Sequence, residues 1–405
     1  MEKIEHPFYP IIYVRGYAMT HTEIDETVAT PYMGFNLGAT KLRQSWDGKV
    51  TRHIFESPLI RLMKDYGYRD VYHDGREITG KLDPKSIVIY RYYEDADSDL
   101  GERGALSIPE AATGLSDLIL SVRDRVCGDD AARREGFKVY LVAHSMGGLV
   151  CRCMLQNTDY GSAEARSAVD KVFTYATPHN GIEVLGVNVP SFLSLWDINN
   201  FNRGNIAEYL GMQGEPERVD SLDGKFDPQR FFCLVGTNHE DYNVAAGLSS
   251  KMAGEMSDGL VRITNAAVKG APRAFVHRSH SGPFGIVNSE DGYQNLTRFL
   301  FGTHRVDGFI EVEELPLPKS IRDAHKENKT IRGSYYFEAT LAPRGAITYT
   351  MTQRRKETFS AVLRKFDELL RVERVDGLDK PRSPYMLTAY LDKSKITSGR
   401  QLVFS

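Results

Sequence analysis

The chain has 405 residues, 41% of them apolar and 26% charged, with a formal net charge of -3. That length can hold two or three domains around a sizeable core, and the composition is that of a globular protein, not a disordered or fibrous one. The near-neutral balance excludes recognition of nucleic acid through overall charge.

The opening MEKIEHPFYP carries two acidic residues and no apolar h-region, so a cytoplasmic protein without a signal peptide is expected. No apolar run reaches the ~18–20 residues of a membrane helix. The first predicted strand is PIIYVRGY, residues 10–17, whose continuous apolar run suits a strand buried on both faces. Residues 18–84 read as an insert that includes the amphipathic helix candidate PLIRLMKDYGY. KSIVIYRYY (85–93) is the second strand. SIPEAATGLSDLILSVRDRVC follows as a helix, with Ser107 and Glu110 at capping-box spacing. FKVYLVAHS is the third strand and MGGLVCRCMLQN the helix after it; VDKVFTYATP, RFFCLVG and RAFVHRSHS are the fourth, fifth and sixth strands. SEDGYQNLTRFLFG closes the region as a helix ending at Gly302. Strands alternating with helices predict an α/β domain over residues 1–303 with a mostly parallel sheet flanked by helices. From residue 304 the pattern turns to period two around an APRG turn, with SPYMLTAYLD and QLVFS as further strands. A separate β-rich, sandwich-like domain is therefore expected over 304–405.

The chemistry begins where the third strand stops. In YLVAHSMGGLV a strand runs into Ser145 and a helix leaves it, with Ala143 two residues before and Gly147 two after. A serine held at so sharp a turn brings the residues at ±2 close together, and only small side chains fit there. This is the nucleophile-elbow pattern, A-x-S-x-G in place of G-x-S-x-G. The stretch VYLVAHSMGGLV, preceded by PIIYVRGY, resembles the lipase and esterase branch of the α/β-hydrolase superfamily. Within that branch it is most similar to the GPI-inositol-deacylase-like and bacterial triacylglycerol-lipase groups, over roughly residues 8–302.

The resemblance implies a Ser-acid-His order and two backbone oxyanion donors. Met146, first in the helix after the serine, is one donor; the other is the backbone of Tyr17, after Gly16. Lipases of this type usually have His-Gly before that donor, whereas this chain has Arg15-Gly16. A serine nucleophile needs a general base. Of eleven histidines, position along the chain leaves His277, which reads as part of the sixth strand, and His280 just beyond it; His280, followed by Ser281-Gly282 and a helix, resembles the family's histidine loop and is the candidate base. His144 adjoins the serine with its side chain pointing to the opposite side of the strand-turn. The acid is expected between the fifth strand and the histidine. Asp258, in SDGLV, is similar to the Asp-Gly-x-Val segment of many lipases, with Glu240 and Asp241 as competitors.

Some 50 residues separate the fourth and fifth strands, too many for a simple connection. A cap or lid over about 180–228 is expected, its apolar stretch offering Leu185, Val189, Phe192 and Trp196 to an acyl chain. Gly16, His144 and His179 are expected beside them in the substrate cleft. The four cysteines form no metal or disulfide pattern, and neither a metal nor a cofactor is implied. Residues 304–405 hold 19 Lys and Arg against 14 Asp and Glu, and the basic runs at 354–356 and 364–365 suit a lipid surface. The expected activity is hydrolysis of lipid or other acyl esters through an acyl-enzyme, as in a lipase or phospholipase. An acyltransferase built on the same acyl-enzyme, a peptidase, and a non-catalytic binding protein are the alternatives.

Overall fold

The structure is a computed structural model. It describes residues 7–16, 39–44, 50–55, 57–73, 76–77, 80–90, 92, 107–184, 187–188, 201–214, 216–240, 256–281, 285–310, 317–327, 329, 331, 333–337, 362–365, 372–375, 378–381 and 385–392. Seven parallel strands form one sheet: β1 (Ile11–Val14), β2 (Arg69–Asp70), β3 (Ser86–Tyr90), β4 (Val139–His144), β5 (Val169–Tyr175), β6 (Phe231–Gly236) and β7 (Arg273–Val276). Their spatial order is β7-β6-β5-β4-β1-β3-β2. The six strands expected from apolar runs are all present. The seventh, β2, is a two-residue edge strand, too short to leave a pattern.

Alternation along the strands builds two cores. Ile12, Val14, Leu141 and Ala143 face one side, where α2 (Ile108–Cys127) and α3 (Met146–Gln156) pack. Ile11, Tyr13, Tyr140 and Val142 face the other, with buried residues of α1 (Ser57–Tyr66) and α4 (Glu290–Phe301). Burial on both faces explains why β1, β3, β4 and β6 are apolar along nearly their whole length. The α2 helix starts on the expected capping box: the Ser107 N–H donates to Glu110 Oε2 at 2.9 Å, and the Glu110 N–H to Ser107 Oγ at 3.4 Å. This is an α/β architecture, a parallel sheet covered by helices on both faces.

After Gly302 the chain adds an antiparallel pair, β8 (His304–Phe309) with β9 (Tyr385–Leu391). Met386, Leu387, Ala389 and Leu391 join the α2–α3 core, while the Tyr390 ring meets Phe299 at 5.1 Å. The Tyr385 hydroxyl accepts from the Arg273 N–H at 3.1 Å, at the start of edge strand β7. Further antiparallel pairs join Ser334–Phe337 to Val362–Lys365 and Val372–Val375 to Leu378–Pro381. The APRG turn expected to close a hairpin lies outside the described residues.

The long connection between β5 and β6 is anchored at both ends by one buried side chain. The Arg152 guanidinium, on α3, donates to the carbonyls of His179 (2.8 Å), Val219 (2.8 Å) and Ser221 (2.6 Å), and to Gln156 Oε1 (2.9 Å). Burial lowers its pKa to about 10, which still leaves it charged at neutral pH. The four cysteines are buried and unbridged.

Candidate active site

β4 ends at His144, and its ladder continues one step further, the Ser145 N–H donating to the Tyr175 carbonyl at 2.9 Å. Ser145 then turns the chain at φ 50°, a conformation non-glycine residues rarely adopt. The small neighbours have steric reasons. A Cβ on Gly147 would stand 2.3 Å from the Val14 carbonyl oxygen, and one on Gly148 would stand 2.2 Å from Thr177 Oγ1. Only glycine lets the first turn of α3 sit this close to the ends of β1 and β5. Met146 opens α3, so its N–H lies at the positive end of the helix with no acceptor inside it.

The candidate base comes from the loop after β7. That loop is fixed by a backbone bond from the Asn238 N–H to the Arg278 carbonyl (3.1 Å) and one from the Ile286 N–H to the Ser279 carbonyl (3.0 Å). Arg278 adds two bonds to Asp291 Oδ2, at 3.1 and 3.0 Å, tying the loop to the first turn of α4. His280 Nε2 lies 3.0 Å from Ser145 Oγ, and its Nδ1 lies 2.9 Å from Asp258 Oδ2. The other Asp258 oxygen, Oδ1, accepts the N–H groups of Leu260 (3.0 Å) and Val261 (2.8 Å), so the carboxylate is oriented before it meets the ring. Gly236, at the end of β6, gives it room: a Cβ there would stand 2.8 Å from the Asp258 Cβ. All three side chains are buried. With Nδ1–H donating to the carboxylate, Nε2 presents a lone pair to the serine hydroxyl, the arrangement that lets an imidazole draw off its proton.

The other expected residues fall into place differently. Glu240 is exposed at a turn and His277 is half-buried beside β7, whereas Asp258 and His280 are buried against each other. His179, expected in the cleft, is fully buried instead. Its Nε2 lies 3.1 Å from Thr174 Oγ1 and its ring meets Phe231 edge-on. Burial and the nearby Arg152 charge hold this imidazole well below the ordinary histidine pKa. His144, also expected in the cleft with its side chain on the opposite side of the strand-turn, is buried and instead reaches the His280 loop, because its ring hydrogen-bonds there: Nε2 lies 3.0 Å from the His280 carbonyl oxygen. Gly16 is buried against the His144 ring and Ser145. Tyr17, Leu185, Val189, Phe192, Trp196 and Asp241 lie outside the described residues. Tyr92 carried no signal in the sequence, yet its hydroxyl donates to the Arg15 carbonyl at 2.9 Å and so holds the backbone just before Gly16. Among the described residues no group of three or more His, Cys, Asp or Glu side chains is placed to hold a metal ion, and no helix is long and apolar enough to cross a membrane.

Residues 109–195 match the family model of the PGAP1-like alpha/beta domain. That stretch spans most of α2, the elbow and β5. With the sheet order, the match bears out the resemblance to the α/β-hydrolase superfamily. The chain is similar to the crystal structure of Bacillus licheniformis lipase BlEst2 in its mature form, at 16% identity over 73% of this chain and 92% of that one, with a TM-score of 0.38. It is also similar to phospholipase PlaB from Legionella pneumophila, at 13% identity over 96% of this chain and 82% of that one, with a TM-score of 0.38. No curated relative matches.

Proposed function

From the α/β-hydrolase fold and the alignment of Ser145, His280 and Asp258, we infer that the chain is a serine hydrolase that cleaves carboxylic esters through an acyl-enzyme. The observation that carries this reading is the pair of contacts on one imidazole, 3.0 Å to Ser145 Oγ and 2.9 Å to Asp258 Oδ2. Ser145 Oγ attacks the ester carbonyl carbon while its proton passes to His280 Nε2. Asp258 stabilises the imidazolium without itself taking the proton. The oxyanion accepts the Met146 N–H and, as second donor, the N–H of Tyr17; preorganised donors of this kind each contribute about 3–4 kcal/mol at the transition state. Collapse expels the alcohol, protonated by His280. Water then attacks the acyl group, giving a proton back to His280, and the acid leaves as Ser145 is restored.

A lipid substrate, as for a lipase or phospholipase, is the finer part of the proposal. It rests on the apolar stretch at 184–196, long enough to cover an acyl chain. The basic runs at 354–356 and 364–365 suit docking of the C-terminal region on an anionic lipid surface. A panel of p-nitrophenyl esters from short to long acyl chains tests the reading. Wild type should hydrolyse them with a preference for longer chains, and Ser145→Ala should lower kcat by a factor on the order of 10⁴ or more. Activity that survives the substitution would remove Ser145 from the mechanism, and a flat chain-length profile would remove the lipid assignment.

A further inference from the structure

We propose that His144, the residue before the nucleophile, is a positioning residue that holds the base loop in line with Ser145. The proposal rests on the reading of Ser145 as nucleophile and His280 as base. A carbonyl oxygen only accepts hydrogen bonds, so the 3.0 Å contact with the His280 carbonyl fixes the proton on His144 Nε2. On the other side of the same residue, the His280 N–H donates to the Asp258 carbonyl at 2.8 Å. The backbone N–H, the carbonyl and both ring nitrogens of His280 are therefore all engaged. Asp258 supplies two of these contacts, and the dipeptide His144-Ser145 supplies the other two.

The consequence is geometric. His144 and Ser145 are consecutive at the end of a strand buried along its whole length, so their two contacts issue from one rigid unit. The path from Ser145 Oγ through the imidazole and backbone of His280, across to the His144 ring and back through the 144–145 peptide, closes on itself. Asp258 sets the rotation of the imidazole; His144 sets how far its backbone stands from the nucleophile. The same ring also packs on the loop leading to the expected second oxyanion donor. A Cβ on Gly16 would stand 2.7 Å from His144 Nδ1 and 3.1 Å from the Ser145 Cβ, so a glycine is required there for the ring to lie where it does. The nucleophile, the base loop and the oxyanion loop thus meet around one buried side chain, centred 5.0 Å from the His280 ring.

The test separates the donor from the bulk. His144→Gln keeps an amide N–H near the position of Nε2, whereas His144→Met has nearly the same length and shape and no donor. Steady-state ester kinetics and the rate of reaction with a fluorophosphonate probe are compared among wild type and both variants, with melting curves for each. The Gln variant should stay within about threefold of the wild-type kcat. The Met variant should lose roughly 10- to 100-fold in kcat and probe rate with KM unchanged, the scale of loss expected when a reacting group shifts by an ångström. His144→Asn, whose amide is too short to reach the carbonyl, should fall with Met and serves if Met does not fold. Equal rates for Gln and the donor-less variants, whether both high or both low, would overturn the proposal. A wild type inert toward both ester and probe would instead overturn the hydrolase reading and take the positioning role with it.

Discussion

Three histidines are buried among the described residues, and the neighbours of each give it a different chemistry. His280 faces a hydroxyl and a carboxylate, His144 a carbonyl, and His179 a threonine hydroxyl and an aromatic edge. His179 is kept neutral in the folded protein by burial and by Arg152, while in the unfolded chain it titrates near 6.5. Below that pH the unfolded state binds a proton that the folded state refuses, so stability falls with pH. One such group contributes at most about 1.4 kcal/mol per pH unit. Urea unfolding at pH 7 and pH 5 should therefore show a stability loss that is smaller by about that scale per unit in His179→Gln; an identical pH slope in both proteins would contradict the assignment. The positions of Ser145, Asp258 and His280 were legible because the fold imposes an order along the chain and each follows its own strand. The settings of His144 and His179 were not. Whether a ring lines a cleft or fills the space behind it depends on what packs there, and the Phe231 ring beside His179 and the His280 carbonyl beside His144 come from other strands and loops.

At the scale of elements, the elbow and the α3 helix form one device. Gly147 and Gly148 bring α3 close to the ends of β1 and β5, and Arg152, two turns along, ties the helix to both ends of the β5–β6 connection. Replacing the cation with Met would leave the His179 and Val219 carbonyls without their donor, while the Ser221 carbonyl would still accept from Gln156 Nε2 at 3.0 Å; each unsatisfied group costs on the order of 1–3 kcal/mol. Arg152→Met should therefore lower stability by about 2 kcal/mol or more in urea unfolding, and a loss below about 1 kcal/mol would show that the connection is held by other means. The elements themselves were largely legible. Strands buried on both faces leave continuous apolar runs, and the Ser107–Glu110 pair marks the start of α2 from sequence alone. The edge strand Arg69–Asp70 was not legible, because two residues cannot display a period. The pairing of Ser334–Phe337 with Val362–Lys365 joins segments too far apart for a turn signal to announce it.

At the scale of the whole molecule, a doubly covered parallel sheet gathers loops at the carboxyl ends of its strands, where ligand sites of open α/β sheets lie. The ends of β1, β4 and β7 deliver Gly16, Ser145 and the His280 loop to one place, and Asp258 arrives from the segment between β6 and β7. The chain beyond Gly302 is joined to this body by buried side chains, since β9 places Leu387 and Leu391 in the α2–α3 core. The convergence of three side chains from distant parts of the chain is the claim on which the chemistry depends. Its most direct test is mass spectrometry of the protein after reaction with a fluorophosphonate. A single adduct is expected on the peptide containing Ser145, formed at least about 10³-fold more slowly in His280→Ala because the hydroxyl loses its base; an adduct on another residue, or an undiminished rate without His280, would contradict this convergence.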